Sequence, residues 1–223
     1  MPRSASRVTW QIVKEFSPQK PSWWNEKMLS KNAKGDYEAM VYPVRTHSHV
    51  ASIDPVVYTY RNPIESYMSL MSRLQDTDQK DNIAYEILKH VDVMAALRRD
   101  EMKGRAVIWL KYEDYYDNLP NRIITIAEFM NISVSPSKIQ EIDAKTNISV
   151  NLKRSKQHSG TKDSFIEWED KSSGMQGNHI NEHTMGKPGA YIESHTETYF
   201  KIMNAPLRSE LALIRSMAAE LGY

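Results

Sequence analysis

Val56-Val57-Tyr58-Thr59-Tyr60-Arg61-Asn62-Pro63, running on into Ile64-Glu65-Ser66-Tyr67-Met68-Ser69, passes from a strand pattern to a helix pattern within two residues. Five β-branched or aromatic residues make a short apolar strand, and an arginine closes it. Asn62 suits a helix N-cap, and Pro63 suits the first helical position, where a missing N–H costs nothing. A strand that passes so abruptly into a helix brings Arg61 and Ser69 near the helix's positive end. Orphan N–H groups and the helix dipole hold anions there, so the pattern points to a phosphate. The plainer reading of the same residues is a strand-to-helix turn whose arginine only forms an ion pair.

The sequence opens with Pro2-Arg3-Ser4-Ala5-Ser6-Arg7, followed by apolar residues at helical spacing, Val8, Ile12, Val13 and Phe16. Small residues ahead of a helix let consecutive N–H groups converge on an oxyanion. The loop lacks the G-x-x-x-x-G-K-[ST] pattern, which argues against an ATP- or GTP-hydrolysing P-loop.

Together these segments resemble the cytosolic-type sulfotransferases, which use 3′-phosphoadenosine 5′-phosphosulfate (PAPS) and release 3′-phosphoadenosine 5′-phosphate (PAP). The family's phosphosulfate loop, Pro-[Lys/Arg]-Ser-Gly-[Ser/Thr]-Thr, is similar to Pro2–Arg7. Its 3′-phosphate motif, an arginine closing a strand and a serine eight residues on, is similar to Arg61 and Ser69. Its Lys-Thr-His looks like Arg45-Thr46-His47, and its -Tyr-Glu-Asp- strand like Val107–Asp114, with Tyr112 beside the adenine. The loop Gly-x-x-Gly-x-Trp looks like Gly186-Lys187-Pro188-Gly189-Ala190-Tyr191. The resemblance spans nearly the whole sequence, in the family's order. Arg7 stands where the family has a small hydroxyl residue, and Val8 where many members carry a tryptophan on the adenine. The family also has a strand ahead of the first loop, whereas this sequence opens at the loop. The expected sheet therefore lacks that strand or begins in sequence further upstream.

The resemblance implies an α/β fold: a three-layer parallel sheet flanked by helices, of the P-loop NTPase-like sulfotransferase type, in one domain over 1–223. Alternating strand and helix patterns independently suggest a parallel sheet. Strands are expected at Tyr37–Val44, Val56–Tyr60 and Val107–Leu110, the last buried on both faces. Helices are expected at Arg7–Phe16, about Trp23–Leu29, Pro63–Leu74, Asn82–Arg99, from Pro120, from Ser135-Pro136, and at Leu207–Leu221. Residues 152–188 are polar and without periodicity, an unusually long irregular stretch that suits a lid, with disorder of Ser155–Gly177 in the absence of ligand as the competing account.

The implied chemistry is transfer of a sulfuryl group to a hydroxyl or amine. His47 is the expected general base, with His49 its rival two residues along. Arg3 and Arg45 are expected to clamp the sulfuryl oxygens. Ser4, Ala5, Ser6 and Arg7 would form the phosphosulfate cradle, Arg61 and Ser69 the 3′-phosphate site, and Gly186, Lys187 and Gly189 the closing loop. Trp23, Trp24 and Tyr42 are candidates for an acceptor pocket. His179 and His183, four apart, would suit a metal only on a helix, and no metal is expected. Two other readings stay open: a nucleotide kinase, and a non-catalytic nucleotide-binding protein derived from this fold.

Composition bounds the rest. With 29 Lys and Arg against 28 Asp and Glu, the net charge of +1 creates no global field for nucleic acid or a membrane surface. The expected partners are a small-molecule or glycan acceptor, and the expected state is a monomer or homodimer. Zero cysteines exclude disulfides and thiol nucleophiles. No apolar run approaches the ~20 residues of a membrane span, and a cytoplasmic location is expected.

Overall fold

Tertiary placement in the computed structural model is described for residues 6–16, 49, 54–73, 83–147, 149–150 and 187–223. The expected strand at 37–44, the helix at 23–29 and nearly all of 152–188 lie outside them.

The stretch from Val56 to Ser69 folds as read. Val56–Tyr60 is strand β1, and Pro63–Arg73 is a helix, α2. Asn62 caps it: its Oδ1 accepts from the Ile64 N–H at 2.9 Å, and its carbonyl accepts from Ser66 N–H at 2.9 Å. The helix Ile83–Met102, α3, follows and leads to strand β2, Val107–Lys111. The two strands pair side by side in a two-stranded parallel sheet, and the helices between them supply the crossover that parallel pairing requires. In β2 only Leu110 is fully buried, while Val107, Ile108 and Trp109 are half-buried. The expected burial on both faces is not met.

A correction falls at the end of β2. The chain does not continue extended through Asp114; Tyr112–Tyr115 is a one-turn helix, α4. Glu113 and Asp114 sit in its first turn, where acidic groups complement the helix dipole.

The helices Leu119–Phe129 (α5) and Pro136–Thr146 (α6) begin on side-chain caps, Asn118 accepting from Asn121 N–H and Ser135 from Lys138 N–H. Three more helices close the described chain: α7 (Ala190–Ser194), α8 (Thr196–Met203) and α9 (Glu210–Glu220). The first helix, α1, runs Ser6–Phe16.

The described residues divide into two compact units. The first joins Tyr58–Tyr116 to the stretch from Lys187 onward. Its core gathers Ile64 and Met68 of α2, Ile83 and Ile87 of α3, Tyr191 of α7, Ile202 of α8, and Ile214 and Met217 of α9. The second holds α1, α5 and α6, with Ile12, Ile123, Ile126, Ala127 and Ile142 buried. Polar ties reinforce it: Arg122 of α5 donates to the Thr9 hydroxyl of α1, and Lys138 of α6 meets Glu15 of α1 at 3.1 Å.

A candidate anion site at the β1–α2 corner

Arg61 leaves β1 and turns inward, only 2% exposed. Its Nη2 is ion-paired to Glu65 Oε2, one turn into α2, and Glu65 is 1% exposed. The guanidinium also lies over the Tyr112 ring, its Cζ 4.5 Å from the centroid. Such a pair is desolvated on both sides, and its two members depend on each other. Ser69 stands four residues past Glu65, so helical spacing puts both on one buried face of α2, together with Ser66. Glu65 Oε1 and Ser66 Oγ are buried and meet no hydrogen-bond partner among the described residues.

Arg61, Ser66 and Ser69 are all buried, and a guanidinium and serine hydroxyls are donor types that suit an oxyanion. The carboxylate of Glu65 is an anion that Arg61 holds. The helix terminus itself contributes less than expected. The Ile64 N–H is already taken by Asn62, and Ser69 lies nearly two turns in rather than at the terminus.

The backbone of the corner is fixed from α4. Asn62 N–H, the donor next to Arg61, gives its hydrogen bond to Glu113 Oε1 at 3.1 Å. The other oxygen, Oε2, accepts from the Tyr223 phenol at 2.6 Å. Lys111 Nζ lies over the Tyr223 ring, 4.2 Å from its centroid. Burial, then the hydrogen bond to Glu113, pushes the Tyr223 phenol far above its ordinary value. Burial and the Asp114 and Glu113 carboxylates raise Tyr60 as well.

Of the residues singled out in the sequence, the structure brings Arg61, Ser69 and Tyr112 into one unit around this corner. Lys187 is exposed in the turn before α7, and Gly189 takes a φ of 85° directly ahead of that helix, which packs on α2. Ser6 and Arg7 form the first turn of α1. Arg3, Ser4, Ala5, Arg45, His47 and Gly186 lie outside the described residues, as do Trp23, Trp24, Tyr42, His179 and His183. Three corner residues carried no role in the sequence reading: Glu65, Glu113 and Tyr223. Glu65 was findable, since an acid four residues from Arg61 across a helix start is a pairing signal. Nothing local announces Tyr223.

The architecture is that of a sulfotransferase-like α/β protein. A search of solved structures matches the crystal structure of mouse sulfotransferase SULT7A1 complexed with PAP. The TM-score is 0.55 at 14% sequence identity, over 98% of this chain and 86% of that one. At that identity the likeness shows the fold. No protein-family model and no curated protein matches the sequence. No helix among the described residues is long and apolar enough to cross a membrane.

Proposed function

We propose that this protein is a PAPS-dependent sulfotransferase, with a hydroxyl or amine of a small molecule or glycan as acceptor. The observation that carries the reading is Arg61, buried at the exit of a strand with Ser66 and Ser69 on the facing helix, inside a sulfotransferase-like fold. In this reading Arg61 and Ser69 hold the 3′-phosphate of PAPS. Tyr112 backs the guanidinium with one face and offers its surroundings to the adenine.

Arg3, Ser4, Ala5, Ser6 and Arg7 cradle the 5′-phosphosulfate. Arg3 and Arg45 clamp the sulfuryl oxygens, Lys187 adds a cation from the closing loop, and Gly186 and Gly189 let that loop close. His47 takes the acceptor's proton as the acceptor oxygen or nitrogen attacks sulfur in line. The new bond to sulfur forms as the bond from sulfur to the 5′-phosphate oxygen breaks, and PAP leaves. The proposal extends to the full three-layer parallel sheet in a single domain, to chemistry without a metal, and to a cytoplasmic setting.

One observation favours a second reading, a PAP-binding protein without turnover: Glu65 already occupies the arginine. A single series separates the two. At ligand a hundredfold above its dissociation constant, PAP should raise unfolding free energy by roughly 2.7 kcal/mol, and ATP, lacking the 3′-phosphate, by much less. Ser69→Ala should shrink the difference. Labelled PAPS offered to hydroxyl and amine acceptors then tests turnover. His47→Ala should cost ~10²–10⁴ in single-turnover rate with PAP binding unchanged, and His49→Ala far less. PAP binding with no transfer to any acceptor establishes the second reading; an equal shift with PAP and ATP defeats both.

A further inference from the structure

We infer that Glu113 and Tyr223 are positioning residues for recognition of the 3′-phosphate, setting the register of the backbone that carries Arg61. The inference rests on the PAPS reading above. Arg61 can reach a phosphate productively only if the β1–α2 turn is fixed, because a guanidinium fork loses its advantage when its stem wanders. Asn62 N–H belongs to the peptide unit that follows the Arg61 Cα, and its partner is one oxygen of Glu113, 3.1 Å away. A single carboxylate on a one-turn helix would itself be loose. Its second oxygen is held by the Tyr223 phenol at 2.6 Å, a short, charge-assisted bond.

Tyr223 is in turn delivered by backbone geometry. Gly222 takes a φ of 77° after α9, a left-handed turn that glycine adopts without steric cost. Tyr223 N–H then bonds to Ala218 O at 3.0 Å and Gly222 N–H to Ala219 O at 3.1 Å, the paired closure of a Schellman turn. This folds the phenol back toward β2, where Lys111 covers its ring. Tyr112 and Glu113 thus grip the corner together, one under the guanidinium and one on the adjoining N–H. A ligand's 3′-phosphate feels this arrangement, and its 5′-phosphate does not.

The test compares PAP with adenosine 5′-phosphate, which lacks only the 3′-phosphate, by calorimetric titration of the full chain. Tyr223→Phe keeps the ring and removes the hydroxyl. It should weaken PAP about tenfold, the scale of one hydrogen bond to a charged group, and leave adenosine 5′-phosphate unchanged. Gly222→Ala, which strains the turn that aims the phenol, should narrow the preference in the same direction. In a Glu113→Gln background, Tyr223→Phe should add little, since the two act as one unit. A merely structural role would lower the melting temperature and leave the ratio of the two affinities alone. Variants that keep the wild-type ratio, or weaken both ligands equally, overturn this inference and leave the PAPS reading standing. A wild-type protein with no preference for PAP overturns the PAPS reading, and this inference with it.

Discussion

Arg61 and Glu65 share one buried corner, where neither charge has water within reach. Removing only the arginine leaves a carboxylate stranded, and breaking a buried pair in that way typically costs about 3–5 kcal/mol. Arg61→Met should therefore destabilise the protein by that order, and adding Glu65→Met should restore most of the loss. Urea denaturation of the two variants checks this; a double variant as unstable as the single would show that the pair does not govern the corner. Arg61 and Ser69 were readable as a functional pair because their spacing from Asn62-Pro63 fixes where they fall on α2. Tyr112 was read as the end of a strand because it closely follows the apolar run Val107–Leu110, with only Lys111 between. The acids that follow it start a helix instead. The partnership of Glu113 with Tyr223 spans 110 residues of sequence, and no local pattern encodes it.

At the scale of elements, starts were more legible than stops. Asn62-Pro63 and Ser135-Pro136 announce α2 and α6 by cap and proline. The helix α5 ends on a subtler device. Asn131 adopts a φ of 55°, its N–H reaching Glu128 O at 2.9 Å and Ile132 N–H reaching Ala127 O at 2.8 Å. That is a Schellman closure built on asparagine, which tolerates the left-handed region better than other side chains. Asn131→Ala should cost about 1 kcal/mol and Asn131→Gly should be neutral or mildly stabilising. Thermal melts of both variants decide it, and equal losses would contradict the role assigned to the backbone here. The short helices α7 and α8 had no forecast, because five- and eight-residue segments are held by tertiary packing rather than by propensity.

At the scale of the whole molecule, four tyrosines among the described residues share one electrostatic condition. Burial raises the phenols of Tyr58, Tyr60, Tyr67 and Tyr223 above their ordinary value. A phenol is neutral when protonated, so each raised value adds stability that is complete below about pH 10. That stability is lost as pH rises further, where the unfolded chain releases protons that the folded one keeps. Urea midpoints should hold steady from pH 7 to 9 and fall between pH 10 and 11.5. Tyr58→Phe, beside His90 and Trp109, should make that fall shallower. An unchanged midpoint up to pH 11.5 would refute the assignment. At this scale the alternation of strand and helix was legible, since periodicity is local. The division into two units was not, because it depends on which distant stretches find each other.

The first unit's core has a temporal consequence. Its α2 and α3 side chains meet partners on α7, α8 and α9, about 100 residues later in the chain. A ribosome adding 5–20 residues per second takes about 5–20 seconds to make that stretch. For that interval Ile64, Met68, Ile83 and Ile87 emerge before their partners Tyr191, Ile202, Ile214 and Met217 are synthesised. Until α9 arrives, those apolar side chains lack the surfaces on which they pack in the folded protein.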